Sequence, residues 1–203
     1  MSTLRKDEKK MGEKSKWRRF ETYGPFEIPL DTRQITRAAG AKFWKEVVES
    51  NKSDLPRAIG CYIFAIKTDE AVTPWYVGKT EKASFLKEAL HDAKVRLYQE
   101  VIGKHPSGKP LLFLIARQLA SGKMKKSTSR FGGSITELEN MLIGTCYERN
   151  PELLNFKGTK YRKVIIVPGY MNDDGVPPSP AAHQLRKLLG IKRRSSISRN
   201  RNK

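Results

Sequence analysis

Gly60-Cys61-Tyr62 and Tyr76-Val77-Gly78 set a glycine, an apolar residue and a tyrosine in mirror order, with the tyrosines fourteen residues apart. Phenols so placed are either sheet aromatics with satisfied hydroxyls or groups that pass protons. A phenol with a pKa of about 10 is a poor base at neutral pH unless a cation stands beside it. Lys79 follows Tyr76 by three residues and could be that cation, or merely a solvated strand-end lysine. Further on, Lys87, His91, Lys94 and Tyr98 recur at spacings of four, three and four, which puts them on one side of a helix. There His91 could assist proton transfer or simply face solvent. Glu139 is a candidate carboxylate, although Thr136-x-x-Glu139 and Ser134-x-x-Glu137 are both capping boxes.

These residues need elements to hold them. Residues 60–68 are apolar on both faces, as in a central strand, and residues 74–79 form the partner across the polar connector TDEAVTP. A helix is expected from about 83 to 102, since Leu86, Leu90, Ala93, Leu97 and Val101 follow its period. PLLFLIARQL reads as a third, buried strand. A second helix begins near Ser134, with Ile135, Leu138, Met141, Leu142 and Cys146 on one face, and stops at Arg149-Asn150-Pro151. KYRKVIIVP offers one more strand. Upstream, FEIPL is extended and a helix near 41–49 uses Phe43 and Val47 to cover the sheet. Downstream, PPSP is a linker, and Ser179-Pro180 opens a short helix closed by Gly190. There is no internal repeat. The organisation expected is a basic, mobile arm over 1–20, an extension packing on the domain over 21–57, the main domain over 58–170, and a linker, helix and basic tail over 171–203.

Charge narrows the partner. The formal net charge is +19; residues 1–20 carry a net +5 and residues 186–203 a net +8, so most of the excess lies at the ends. Basic tails around a moderately basic domain suit a nucleic acid, because phosphate contacts release counterions; otherwise they only keep the chain in solution. Trp17 and Phe20 could stack on bases or dock on the domain. Cys61 and Cys146 lie far apart in apolar patterns, with neither zinc spacing nor a disulfide framework. No signal peptide or membrane-spanning run is evident, so a soluble cytoplasmic protein is expected.

The order of elements is a strand with Gly-x-Tyr, a strand with Tyr-x-Gly, a helix, a strand, a helix with a glutamate, then an asparagine. Over residues 58–157 it resembles the GIY-YIG nuclease domain, with isoleucine replaced in both tripeptides. Leu138-Glu139-Asn140-Met141-Leu142-Ile143 looks like the family's glutamate-bearing helix, and Leu154-Asn155 like its terminal asparagine. The resemblance implies an α/β fold of the α+β sandwich kind, with a small antiparallel sheet of about three strands flanked by helices. It implies a divalent-metal-dependent endonuclease acting on DNA, with RNA as the other polyanion. Glu139 would hold Mg²⁺ (or Mn²⁺) and Tyr62 would activate water as general base. Tyr76 and Asn155 would orient the site, and Lys79 or Lys87 would bind phosphate. Basic contacts along the backbone would come from Lys94, Lys125, Lys126, Arg130, Lys157, Lys160, Arg193 and Arg194. The oligomeric state stays open, a homodimer among the options, since a small single-site nuclease that cuts both strands often needs a partner copy.

One position departs from the family. Most members carry an arginine early in the first helix, against the scissile phosphate, and the usual spacing from Tyr76 lands on Leu86. Arg96 is more than two turns further on. One inserted residue would bring Lys87 to the arginine's place, with charge but without the forked geometry. In this the chain is similar to a bacterial group of GIY-YIG proteins whose first helix bears lysine and glutamate, Glu88 being the matching acid. Two rivals stand beside the enzyme: a scaffold that binds nucleic acid without cutting it, and a small basic RNA-associated protein with no site.

Overall fold

The structure is a computed structural model that describes residues 18–50, 53–127, 133–155, 167, 177 and 179–188. Four antiparallel strands form one sheet in the order β1-β4-β2-β3: β1 Phe20–Glu27, β2 Gly60–Lys67, β3 Val72–Thr80 and β4 Lys109–Arg117. The class is α+β, with four strands where about three were expected. The added strand is β1, which the sequence shows only as a short extended piece. Six of its residues pair with β4, with a break between Tyr23 and Phe26.

β2 is central, lying between β4 and β3, and its alternation assigns the two faces of the sheet. Tyr62, Phe64 and Ile66 belong to the larger core, with Phe43 and Val47 of α1 (Arg37–Glu49) and Tyr98, Val101 and Ile102 of α3 (Asp92–Lys104). Cys61 turns the other way, into a small core with Ile135 of α4 (Ser134–Arg149). Val77 of β3 faces α4 as well, packing with Ile143 and Cys146. Thus α1 and α3 cover one face and α4 the other. Among the described residues no helix is long and apolar enough to cross a membrane.

A bulge sets the phase of β3. Phe64 pairs with Tyr76 and Ala65 with Pro74, so Trp75 is the extra residue. Trp75 and Tyr76 therefore both pack toward the larger core although they are consecutive. Pro74 is tolerated there because β3 is an edge strand in the ladder. That edge is not left bare: Asn150 Nδ2 donates to the Pro74 carbonyl at 2.9 Å, and Leu154 N donates to the Trp75 carbonyl at 2.9 Å.

The first long helix differs from expectation. Instead of one helix over 83–102 there is a short α2, Phe85–Glu88, and then α3 beginning at Asp92. His91 is extended and caps α3, its Nδ1 accepting from Ala93 N at 3.4 Å. The break resets the helical phase: Phe85 and Ala89 are buried, while Leu86 is 48% exposed. Lys87 and Lys94 consequently sit on different helices rather than on one polar stripe. Tyr98, one turn after Lys94, lies on the buried side. On α4, Met141 also leaves its expected face and is 70% exposed; the buried line runs through Ile135, Ile143 and Cys146.

The chain divides into two compact units, 1–155 and 156–203. In the second, α5 (Pro180–Leu188) starts at Pro180, with Ser179 Oγ accepting from Ala182 N at 3.2 Å. The strand expected over 160–168 lies outside the described residues except for Val167, as does Gly190.

Candidate functional site

The mirror order of the two tripeptides has a steric cause. Tyr62 and Gly78 stand opposite each other in the β2–β3 ladder. A Cβ on Gly78 would run into Cζ, Oη and Cε2 of Tyr62. The second glycine makes room for the first tyrosine. Gly60 has a similar constraint, since a Cβ there would meet the Ile115 carbonyl on β4.

Tyr62 is 1% exposed, with its ring 6.3 Å from Tyr76 and 6.4 Å from Phe85. Burial first, then the charges of Tyr76, Glu88, Glu139 and Cys61, push its phenol well above the ordinary tyrosine value. A general base needs the reverse. Burial thus favours the neutral phenol at Tyr62, which works against the base role that the resemblance implies.

Tyr76 is the half-exposed phenol of the pair. Lys94 Nζ donates to its Oη at 2.7 Å and lies 4.8 Å from the ring centroid, so the ammonium also interacts with the ring. The Tyr76 ring rests 5.9 Å from that of Tyr98, itself stacked on Phe64 at 4.1 Å. The cation beside a tyrosine is therefore Lys94, on α3, and not Lys79.

Lys79 faces away from the tyrosines. It pairs with Cys61 in the ladder, and alternation directs both toward α4. Its Nζ donates to Thr136 Oγ1 at 2.6 Å and lies 3.4 Å from Glu139 Oε2. Neither capping box forms: the N-cap of α4 is Gly133, with no side-chain cap bond. Thr136 and Glu139 are thereby available to hold Lys79, one turn apart on the same side of the helix. Their surroundings are sheltered, with 18% of the Glu139 side chain and 30% of the Lys79 side chain exposed. The neighbouring Cys61 thiol is pushed up to about 12, first by burial, then by Glu139, with Lys79 acting in the opposite sense.

Asn155 works as a clamp on β3. Its Nδ2 donates to the Val77 carbonyl at 2.7 Å and its Oδ1 accepts from Val77 N at 2.9 Å, so the amide matches the strand edge on both groups. It is 8% exposed. The asparagine thus fixes the backbone between Tyr76 and Gly78 instead of reaching outward.

The other expected residues scatter. Lys87 is exposed on α2, and His91 is exposed with its Nδ1 committed to the α3 cap. Lys126 pairs with Asp54 at 3.1 Å. Lys125 joins the sheet end through its backbone, its carbonyl accepting from Ile59 N at 3.0 Å and its N donating to Arg117 O at 2.7 Å. Arg130, Lys157, Lys160, Arg193 and Arg194 lie outside the described residues. Thr136 and the Lys94–Tyr76 contact are missed by sequence reasoning. The only sequence signal for the second is that Lys94 lies one turn before Tyr98, and it is usable once Tyr98 is known to be buried.

A magnesium ion, which keeps most of its waters, asks for only one or two carboxylates. Glu139 offers one hard oxygen donor, sheltered but reachable, and fits such an ion if the Lys79 ammonium moves aside. Among the described residues no group of three or more His, Cys, Asp or Glu side chains is arranged to hold a metal by itself.

Comparison of the chain with family models, with curated proteins and with solved structures found no match.

Proposed function

We propose that the protein is a divalent-metal-dependent endonuclease of the GIY-YIG type that hydrolyses DNA phosphodiester bonds. One observation carries the reading: four parts distant in sequence converge on β3 between Tyr76 and Lys79. Tyr62 fills the space left by Gly78, Lys94 holds Tyr76, Asn155 clamps Val77 and Glu139 pairs with Lys79. A stretch of strand gripped from both faces and along its edge suits a site that must hold geometry to a fraction of an ångström.

In this reading Glu139 would hold Mg²⁺ (or Mn²⁺). When bound, the ion supplies Lewis-acid polarisation of a phosphate oxygen. On the α4 side Lys79, once released from the Glu139 carboxylate, would be the ammonium beside the metal-held phosphate. Tyr76, on the α3 side of the same strand, would meet the nucleic-acid backbone there, with Tyr62 as the fixed wall behind it. Asn155 holds the backbone that carries Tyr76 and Lys79. The basic termini supply backbone contacts without base readout.

A second reading has its own support. The Glu139 carboxylate is already neutralised by Lys79, and Tyr62 is buried. Both suit a scaffold that binds nucleic acid without cutting it. Supercoiled plasmid incubated with Mg²⁺ or with EDTA separates the two, using the parent and Glu139→Gln. The nuclease nicks only with the cation, and Glu139→Gln removes the nicking. Equal binding by both proteins, with no cleavage by either in Mg²⁺ or Mn²⁺, overturns the enzyme and leaves the scaffold.

A further inference from the structure

The lysines of the described residues sort by what neutralises them. Lys79 has Glu139, Lys126 has Asp54, Lys109 has Glu27 at 3.5 Å, and Lys42 and Lys45 have Glu46 and Glu49 one turn along α1. Lys94 has no carboxylate partner among the described residues; its ammonium is anchored on the Tyr76 hydroxyl and ring. It is only half-exposed, and two buried aromatic rings, Tyr62 and Tyr98, back the phenol that holds it. A positioned cation without a counter-charge is an anion site in waiting, and a partly desolvated one attracts more strongly than a lysine in water.

We propose that Lys94 and Tyr76 form a clamp for one backbone phosphate of a nucleic acid, the part that spacing alone would give to Lys87. The donors are already arranged. An ammonium has three N–H groups, and Lys94 uses one on Tyr76. The Tyr76 oxygen accepts that bond, so its own proton turns elsewhere. Two N–H groups and one O–H are left to meet the non-bridging oxygens of a phosphodiester. The phenol is held by the rings beneath it, so little side-chain freedom is lost when the anion arrives. Lys87, exposed on the four-residue α2, has no such anchor. Glu88 is the nearby acid that adds to the Tyr62 shift. Its charge opposes an anion on this face, so the phosphate depends on the Lys94 ammonium.

The clamp rests on the nuclease reading for its ligand, but its test does not need cleavage. Binding of a short labelled duplex is measured in EDTA across a salt series, for the parent, Lys94→Met, Lys94→Arg, Lys87→Met and, as a charge control, Lys45→Met. Lys94→Met is expected to weaken binding about tenfold near 0.1 M salt and to lower the slope of log K against log[salt] by about one. Lys94→Arg restores most of both, Lys87→Met costs less, and Lys45→Met leaves both near the parent values. Duplex binding also perturbs tyrosine absorbance in the parent, and Tyr76→Phe removes that signal. Parent-like affinity and slope in Lys94→Met, or a larger loss in Lys87→Met, overturns the clamp. If millimolar inorganic phosphate alone gives the same Lys94-dependent tyrosine signal and duplex gives none, the ligand is free phosphate and the nucleic-acid clamp is wrong. A parent that cuts plasmid while Lys94→Met binds normally leaves the nuclease and removes the clamp. A parent that binds through Lys94 and never cuts does the reverse.

Discussion

The two faces of β3 hold a lysine each, and they use it in opposite ways. On the α4 side Lys79 is spent on a carboxylate, Glu139, and on Thr136; its charge is cancelled within the fold. On the α3 side Lys94 leans on a phenol and keeps its charge. Deleting a neutralised ammonium strands a sheltered carboxylate, whereas deleting an unneutralised one strands no charge and leaves only the half-exposed Tyr76 hydroxyl to find water. One face therefore bears on the stability of the free protein and the other on its capacity for an anion. The strand between them must stay thin and still, and its most confined point is Gly78.

Gly78→Ala should produce the largest change and break the comparison from the α3 side. The added methyl meets the end of the Tyr62 ring, which is packed against Tyr76 and Phe85 and cannot swing away. Overpacking of this kind costs about 3 kcal/mol. In a Tyr62→Leu background the clash is gone, so the same alanine should cost about 1 kcal/mol or less. Urea unfolding of the four proteins of this cycle measures the coupling. Additive costs would mean that the glycine is there for another reason.

Lys79→Met should produce a smaller change from the α4 side. It leaves Glu139, 18% exposed, without its partner and frees Thr136. A loss of about 1 kcal/mol is expected, at the upper end of the range for exposed pairs. Lys94→Met should shift the unfolding midpoint by less than half as much while weakening duplex binding more. The contrast between the two lysines fails if both variants lose stability alike, or if Lys79→Met is the one that lowers the salt slope.

Much of this was legible in the residues and some was not, for physical reasons. The strands at 60–68 and 110–119 show as apolar runs because β2 and β4 are covered on both faces, and α4 starts where Ser134 suggests. β1 escapes because Phe20–Glu27 alternates poorly and contains Gly24 and Pro25. The helix break at His91 escapes because Leu86, Leu90, Ala93 and Leu97 keep a helical period across it. Period alone does not see that a histidine can cap a new helix. That error carried the rest: with one continuous helix, Lys87 and Lys94 share a stripe, and only the break separates an exposed lysine from one aimed at Tyr76. Likewise the bulge at Trp75 decides which face Tyr76 takes, and nothing in PWYVG announces an extra residue. Among the candidate residues, Glu139, Tyr76 and Asn155 were singled out by pattern. What each one touches was not, because those contacts cross about twenty to eighty residues of chain.

Alkaline titration offers the mildest test and compares the faces through two adjacent residues of β2. Cys61 faces α4 and Tyr62 faces α3, and burial raises both, the thiol from 9.0 to about 12. The unfolded chain releases the thiol proton near its ordinary value while the folded chain keeps it. Between pH 9 and 12 the unfolded state therefore binds fewer protons, and stability falls as pH rises. The contribution is whole below pH 9 and is lost on the way to about 12, at most about 1.4 kcal/mol per pH unit for each group. Cys146, raised to about 11 by burial, adds a second proton over part of the same window. Tyr62 and Tyr98 join only above the ordinary tyrosine value of 10.0. Between pH 9 and 10 the slope thus belongs mainly to the α4 side, and Cys61→Ala should reduce it by roughly half. Lys79→Met should leave the slope between pH 9 and 10.5 as it is, because the folded thiol already keeps its proton there. It should only carry the loss to higher pH, since the ammonium that counters Glu139 at the thiol is gone. Urea midpoints taken every half unit from pH 8 to 10.5 read the slope directly. Equal slopes in parent and Cys61→Ala would mean that the thiol is not shielded as the packing of Cys61 against Ile135 requires.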